Sequence, residues 1–195
     1  MKVIGLCGGS GAGKGTVCSI FAELGIPSID TDKLYHSLIS TDSECSRELV
    51  LAFGDDVYAN PGVDRKALRD VVFASPENLD LLNKITHKHI LASARDLIKN
   101  ARDARAIIID APLLFESGFD KECDVKICVI ADDDVRIERI IKRDGITHEI
   151  AKARIASQIS NDRLMEICDY AIENNSDENE LRKRIHALSQ TLFNN

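Results

Sequence analysis

The chain has 195 residues, of which 44% are hydrophobic and 29% are charged, and its formal net charge is −7. These values suit a globular protein with one core, and no apolar run approaches the length of a bilayer-spanning helix. The negative charge argues against a broad nucleic-acid surface. The first apolar run is too short for a secretory signal. We therefore expect a soluble cytoplasmic protein, a monomer or small homo-oligomer, that binds neither nucleic acid nor membrane.

The cysteines do not form a metal or disulfide pattern. There is no Cys-x-x-Cys pair and no pair of histidines at zinc-ligand spacing. We expect reduced thiols at all six positions, which are Cys7, Cys18, Cys45, Cys123, Cys128 and Cys168.

Five short β-branched runs alternate with amphipathic segments along the chain. This spacing predicts an α/β fold in which helices flank a five-stranded, mostly parallel sheet. The first helix should begin within a glycine-rich loop and end at Gly25. The five runs are 2–7, 26–30, 106–111, 125–130 and 169–174.

About 75 residues separate the second run from the third, more than a single crossover helix needs. We interpret this stretch as a helical insert in which Asp64 and Ser75 cap helices. A further polar helical stretch is expected at 147–163. The whole chain is then one unit, divided into a core (1–32, 104–143 and 164–195), an insert (33–103) and a lid (144–163).

The stretch GGSGAGKGT at 8–16 follows an apolar run and precedes an amphipathic segment, which is the context of a P-loop. Its backbone N–H groups are expected to surround the phosphates of ATP, while Lys14 reaches the β and γ phosphates. A dinucleotide-binding loop is the alternative, but Gly-Lys-Gly-Thr favours a mononucleoside triphosphate. The expected ATP-binding residues here are Gly8, Gly9, Gly11, Ala12, Gly13, Lys14, Gly15 and Thr16.

We expect Mg²⁺ to bind together with ATP. The loop departs from the usual pattern at the residue that commonly provides a hydroxyl ligand to this metal. Gly15 takes the place of the usual hydroxyl residue after Lys14, so the hydroxyl moves to Thr16. Asp110 ends the apolar run AIIID, where a carboxylate can orient Mg²⁺ or its waters, although such an aspartate is often just a turn residue. We expect Thr16 and Asp110 to contact the metal directly or through water.

Two further motifs indicate a phosphoryl acceptor and a lid. In an extended backbone Asp30 and Asp32 would point to the same side; we favour Asp32 as the catalytic base and Asp30 as support, with helix capping as the alternative. Arg136, Arg139 and Arg143 recur at helical spacing in DDDVRIERIIKRDG. We expect Arg139 and Arg143 to close over the transferring phosphoryl group and exclude water.

The order of the motifs closely resembles the dephospho-CoA kinase family over almost the whole chain. The motifs are GGSGAGKGT, SIDTDKL, GVDRKALRDVVF, LLNKITHKHI, DAPLLFESG, the R-x-x-x-R-D at 139–144, ASQ at 156–158 and YAIENNS. PLLFE at 112–116 is the most distinctive, because general nucleotide kinases do not carry it after the third strand. The resemblance implies that ATP phosphorylates the ribose 3′-hydroxyl of dephospho-CoA, giving CoA and ADP.

The resemblance also assigns residues. It implies that Asp32 faces the acceptor hydroxyl, that Arg139 and Arg143 belong to the lid, and that adenine lies near Asn174 and Asn175. The remaining substrate residues it implies are Arg65, His87, Leu114 and Glu116.

This chain departs from the family pattern at three points. His87 is followed by Lys88 where the family usually has proline. Leu164 occupies the place of a usual basic residue, with Arg163 one position earlier. Gly15 in the P-loop is the third departure. The family roles do not carry over automatically at these positions.

Other functions remain open to the sequence. A nucleoside monophosphate kinase or a metabolite kinase such as shikimate kinase is the nearest rival. A regulatory GTP-binding switch lacks support, because no Asn-Lys-x-Asp motif follows the fourth run. A non-catalytic nucleotide-binding module is disfavoured by the combination of Asp32 with the arginines.

Overall fold

A computed structural model describes residues 1–101 and 103–193 of the chain. The chain divides into two compact units, each with its own core. We call Met1–Ser28 with Asp103–Asn195 the sheet unit, and Ile29–Arg102 the helical unit. The three-part division into core, insert and lid stays a prediction.

The predicted five-stranded sheet is confirmed. Its strand order is β2-β3-β1-β4-β5, and β1 pairs in parallel with both β3 and β4, while β4 pairs in parallel with β5. The register places Leu6 beside Asp110 and Cys7 beside Cys128. The strands are β1 (Lys2–Cys7), β2 (Ser28–Asp30), β3 (Ala106–Asp110), β4 (Val125–Ile130) and β5 (Tyr170–Glu173).

The described residues form nine α-helices. They are α1 (Lys14–Glu23), α2 (Thr31–Ser40), α3 (Glu44–Phe53), α4 (Arg65–Val72), α5 (Pro76–Asn100), α6 (Asp133–Asp144), α7 (His148–Ala156), α8 (Asn161–Ile167) and α9 (Glu178–Phe193). Short 3-10 turns lie at Asp55–Val57 and Phe119–Glu122.

The core of the sheet unit forms where apolar strand residues meet α1 and α9. Ile4 and Leu6 of β1 and Ile127 of β4 are completely buried and pack with Phe21 of α1 and Ile185 of α9. Because a parallel sheet is covered by helices, its strands are apolar on both faces, as these runs are.

The helical unit has a core made by α2 to α5. Ile39, Leu49, Leu68 and Ile85 form its centre. The expected helix starts are confirmed: Asp64 accepts hydrogen bonds from the first-turn N–H groups of α4, and the Ser75 hydroxyl accepts one from α5. Helix α5 then runs 25 residues without interruption through Lys88, where the family pattern has proline.

The helical stretch expected at 147–163 is divided between two helices, α7 and α8. Thr147 caps α7, and Ser160 accepts the N–H of Arg163 to start α8. A hydroxyl at an N-cap position begins a new helix, since it satisfies an N–H group left without an intrahelical partner. Among the described residues, no helix has both the length and the apolar character needed to cross a membrane.

Candidate active site

The glycine-rich loop joins β1 to α1, as the sequence predicts. Gly11 and Gly13 have φ angles of 79° and 97°, a left-handed backbone that favours glycine. Gly13 is the N-cap of α1 and has no side chain to accept the first N–H groups of the helix. Lys14 lies in the first turn, and its Nζ donates to the Gly8 carbonyl at 3.0 Å. The helix start is therefore available to an anion.

Arg136 of α6 donates a hydrogen bond to the backbone of this loop. Its position in the sequence, at helical spacing, does not distinguish it from Arg139 and Arg143. Only 2% of Arg136 is exposed. Its Nε donates to the Ser10 carbonyl at 3.0 Å, its Nη2 to Oε1 of Gln158 at 2.9 Å, and its Nη1 to Asp133 at 3.0 Å. A buried guanidinium needs such partners, because burying a charge without hydrogen bonds is costly.

The close approach of α6 explains two glycines of the loop. A Cβ added at Gly9 would lie 2.1 Å from Nη2 of Arg136, and one at Gly11 would lie 2.6 Å from the Arg136 carbonyl oxygen. The second clash is with backbone, which cannot move aside without shifting the helix. These glycines therefore serve the packing of α6 as well as the expected phosphate contacts.

Arg139 and Arg143 also reach the loop from α6. The Nη1 of Arg139 donates to the Gly11 carbonyl, and the Nη2 of Arg143 donates to the Ser10 hydroxyl, each at 3.3 Å. Arg143 also donates to the Asp144 carboxylate, as does Arg154 of α7. Their hydrogen bonds lower the pKa of Asp144 below its usual range. The structure thus places both predicted lid arginines beside the P-loop.

Asn174, which follows β5, also contacts the loop. It is 6% exposed, and its Nδ2 donates to the Ala12 carbonyl at 2.8 Å. A Cβ at Gly13 would lie 2.2 Å from that nitrogen. Asn175 accepts the N–H of Asp132 at 2.7 Å. The side chain of Asn174 is thus engaged with the loop, a role that the sequence did not indicate.

Asp110 lies at the carboxyl end of β3, within the sheet unit. Burial raises the pKa of the Cys18 thiol on α1 to about 12, and the negative charge of Asp110 adds to that effect. The thiol also hydrogen-bonds to Asp110. A carboxylate oxygen donor therefore lies beside the buried Cys18, and Thr16, exposed in the first turn of α1, precedes Cys18 by two residues.

These oxygens fit Mg²⁺ brought by a nucleotide. Within residues 1–101 and 103–193, no group of three or more His, Cys, Asp or Glu side chains could hold a metal ion. Mg²⁺ keeps several waters and usually takes one or two protein oxygens beside substrate phosphates. The Asp110 carboxylate and the Thr16 hydroxyl are each an oxygen donor of that kind.

The expectation for Asp30 and Asp32 is wrong in its geometry. Helix α2 begins at Thr31, so Asp32 lies in a helical first turn and not in an extended strand. Asp30 is the N-cap, and its carboxylate accepts the N–H of Lys33 at 3.0 Å. Burial opposes ionisation of Asp30, but the N–H and ammonium of Lys33 outweigh it and lower its pKa. Asp32 itself is exposed.

The structure contradicts the role expected of Leu114. Its side chain is completely buried in the sheet unit, and its methyl carbons would lie 2.9 and 3.1 Å from a Cβ added at Gly5 of β1. It is therefore a core residue and does not line a substrate site. Glu116, two residues further on, is exposed in the turns that follow β3.

The helical unit contains a half-open cavity of about 450 Å³. Arg65, the first residue of α4, contributes to its wall beside an apolar floor and two further cations. His87 lies partly buried on α5. The residues that line the cavity are Tyr35, Arg65, Lys66, Leu68, Arg69, Val72, Phe73 and Leu82.

The departure at residues 163 and 164 has a structural explanation. Leu164 is buried against the sheet unit, whereas Arg163 is exposed and pairs with Glu166 at 2.7 Å. The helix turns the position of the usual basic residue toward the core, so an apolar side chain suits it.

These features define a class. A parallel sheet of this order, a glycine-rich loop between β1 and α1, and arginines of α6 beside that loop make up a P-loop kinase fold. The fold is shared with the shikimate kinase from Acinetobacter baumannii in complex with shikimate, at a TM-score of 0.55 and 14% identity over 100% of this chain and 94% of that one.

The comparisons with known proteins narrow the class to a family. Residues 2–180 match the family model of dephospho-CoA kinase, CoaE. A dephospho-CoA kinase of Fusobacterium nucleatum is 39% identical over 193 residues, which cover 98% of this chain and 99% of the relative. The chain therefore belongs to the dephospho-CoA kinase family, as the motif order predicts, and is a kinase.

Solved structures agree with this assignment. TT1252 from Thermus thermophilus has a TM-score of 0.84 and 26% identity, over 98% of this chain and 97% of that one. Dephospho-CoA kinase from Campylobacter jejuni has a TM-score of 0.73 and 25% identity, over 97% and 96% of the two chains. The rival kinase classes are not favoured.

Proposed function

We propose that the protein transfers the γ-phosphoryl group of ATP to the ribose 3′-hydroxyl of dephospho-CoA, giving CoA and ADP. One observation carries this proposal: the family match spans residues 2–180 and so includes the helical unit as well as the P-loop. A match confined to the loop would support only nucleotide binding. We place the reaction in the cytoplasm, in a monomer or small homo-oligomer.

On the nucleotide side, the backbone N–H groups of residues 8–16 hold the phosphates. Lys14 contributes a positive charge at the β and γ phosphates. Its present partner, the Gly8 carbonyl at 3.0 Å, is a neutral acceptor that a phosphate oxygen can replace with a stronger, charge-assisted bond. The adenine lies near the backbone of Asn174 and Asn175.

Bound Mg²⁺ would neutralise phosphate charge, with Asp110 and Thr16 as the oxygen donors that this chain offers. All other roles belong to side chains and backbone groups of the protein.

On the acceptor side, Asp32 receives the proton of the ribose 3′-hydroxyl. The 3′-oxygen forms the new bond to the γ-phosphorus while the bond from that phosphorus to the bridging oxygen of ADP breaks. An exposed carboxylate in the first turn of α2 is free to rotate toward a substrate hydroxyl. Arg65, His87 and Glu116 bind the acceptor.

Arg139 and Arg143 neutralise charge that spreads over the equatorial oxygens of the transferring group. Both already contact P-loop residues within the sheet unit, at 3.3 Å each. Donors that are positioned before the reaction cost little reorganisation during it, which is the main source of electrostatic catalysis.

The test is an ADP-release assay with dephospho-CoA, AMP, CMP and shikimate as acceptors. We expect turnover with dephospho-CoA alone, and a product heavier by one phosphoryl group whose ³¹P spectrum shows a 3′-phosphomonoester. Turnover with only a nucleoside monophosphate or shikimate would sink the proposal.

A further inference from the structure

Both backbone polar groups of Ser10 in the P-loop are held by side chains far along the chain. The carbonyl accepts from Nε of Arg136 at 3.0 Å, and the N–H donates to Oε1 of Gln158 at 2.9 Å. The same Oε1 accepts from Nη2 of Arg136 at 2.9 Å. These contacts close a ring of three residues, which we call the Ser10 bracket.

The two side chains of the Ser10 bracket come from a helix and from the segment that directly follows the next helix. Arg136 lies on α6, and Gln158 follows the C-terminal end of α7. Buried side chains, including Ile140 and Ala151, pack these helices against each other as a hairpin. The bracket thus attaches one peptide segment of the P-loop to both arms of that hairpin.

Arg136 lies on the same face of α6 as the two lid arginines. At 100° per residue, Arg136, Arg139 and Arg143 fall within an arc of about 60° on α6. Arg136 is fully buried and its donors face protein groups, whereas Arg143 is exposed. Because α6 is rigid, fixing Arg136 against Ser10 fixes the stretch of helix from which the other two project.

We propose that Arg136 and Gln158 are positioning residues for nucleotide binding. Through Ser10 they hold the orientation of the amides at 11–14 and keep Arg139 and Arg143 beside the loop. This inference rests on the proposed function only in that the loop binds ATP, and the identity of the acceptor does not enter it.

Gln158 provides the cleaner test because it is exposed, so its replacement leaves the core intact. Gln158→Leu removes the acceptor of two hydrogen bonds. We expect the Kd for ATP, measured by calorimetry, to rise roughly five- to tenfold. The melting temperature should fall by no more than about 5 °C, because Arg136 keeps Ser10 and Asp133 as partners. The KM for the acceptor at saturating ATP should stay unchanged. The matched control is Ser157→Ala, since the Ser157 hydroxyl donates to the Arg154 carbonyl on the same helix end.

Arg136 is tested by a double-mutant cycle. Arg136→Gln should weaken ATP binding more than Gln158→Leu, and Arg136→Lys should recover part of the loss. In the double variant the two effects on Kd should be clearly less than additive, because each single change already opens the bracket. Coupling in ATP affinity, as distinct from coupling in melting temperature, separates positioning from a purely structural role.

The inference fails if Gln158→Leu binds ATP as Ser157→Ala does, or if the two effects simply add. That failure is separate from failure of the proposed function. Normal turnover of dephospho-CoA with unchanged ATP affinity in Gln158→Leu would remove the bracket alone. Turnover of a different acceptor would remove the proposed function and leave the bracket intact.

Discussion

The P-loop of the sheet unit is held by hydrogen bonds to its backbone, whereas the cavity of the helical unit is lined by side chains, several of them exposed. In the P-loop, the carbonyls of Ser10, Gly11 and Ala12 accept hydrogen bonds from α6 and from Asn174. Around the cavity, the cations Arg65 and Lys66 are exposed, and Phe73 is 75% exposed beside them.

The difference follows from what each surface is proposed to bind. Phosphates are compact anions whose positions must be fixed for transfer, and backbone amides held by buried side chains provide such fixed donors. A long acceptor can be bound by several weaker contacts over apolar and basic surface, which tolerate side-chain movement. We therefore expect changes at the loop to alter kcat and ATP affinity, and changes in the helical unit to alter acceptor use.

The largest expected effect is that of Lys14→Ala. Removing the cation at the β and γ phosphates should lower kcat about 10²- to 10³-fold, with an unchanged circular dichroism spectrum. The matched control is Lys66→Ala in the wall of the cavity, which should leave kcat within about twofold. A kcat of Lys14→Ala within tenfold of the parent value would contradict the expected difference between the two surfaces.

Asp32→Asn should have the next largest effect. Loss of the proton acceptor should lower kcat about 10²-fold and leave the Kd for ATP unchanged. The control is Asp30→Asn, because asparagine is as good an N-cap for α2 as aspartate. Equal losses of kcat in the two variants would mean that the start of α2, and not the Asp32 carboxylate, matters for the reaction.

Leu114→Ala distinguishes a core residue from a substrate residue. Because Leu114 is completely buried, we expect the free energy of unfolding to fall by about 2–5 kcal/mol. The KM for the acceptor should stay unchanged when measured below the unfolding transition. Its neighbour Leu113, 51% exposed, is the control, and Leu113→Ala should cost far less stability. A raised KM with unchanged stability would restore the family role to Leu114.

The smallest effect concerns pH and the Asp144 carboxylate. Arg143 and Arg154 lower its pKa in the folded protein, so the folded state binds this proton less readily than the unfolded state. The ionised Asp144 carboxylate therefore stabilises the folded state above the unfolded pKa of about 4, and this stabilisation is lost as the pH falls below that value. The melting temperature of Asp144→Asn should be below that of the parent at pH 7, and the gap should narrow as pH falls from about 4 to about 3. Asp134→Asn is the exposed control, and a gap that widens in acid would contradict the sign.

Local sequence was sufficient for much of the fold. The five apolar runs, the glycine loop between a strand and a helix, and the caps at Asp64 and Ser75 were all predicted, because each depends on residues within a few positions of one another. Asp30 shows the limit of such reasoning. The capping bond to Lys33 starts α2 at Thr31, two residues earlier than a strand extended through Asp32 would allow, and capping and strand continuation compete at that point by a small free-energy difference.

The sequence by itself determined the family, the approximate positions of the strands and the place of the loop, because these are written in contiguous motifs. Only the tertiary structure decided which arginine of α6 is buried against the loop, that Asn174 donates to Ala12, and that Leu114 is a core residue. The partners of Arg136 and Asn174 in the loop lie 126 and 162 residues away along the chain. Burial and hydrogen bonds between residues so far apart in the sequence depend on how the chain packs. Helical spacing alone cannot tell which of the three arginines on one face of α6 is buried.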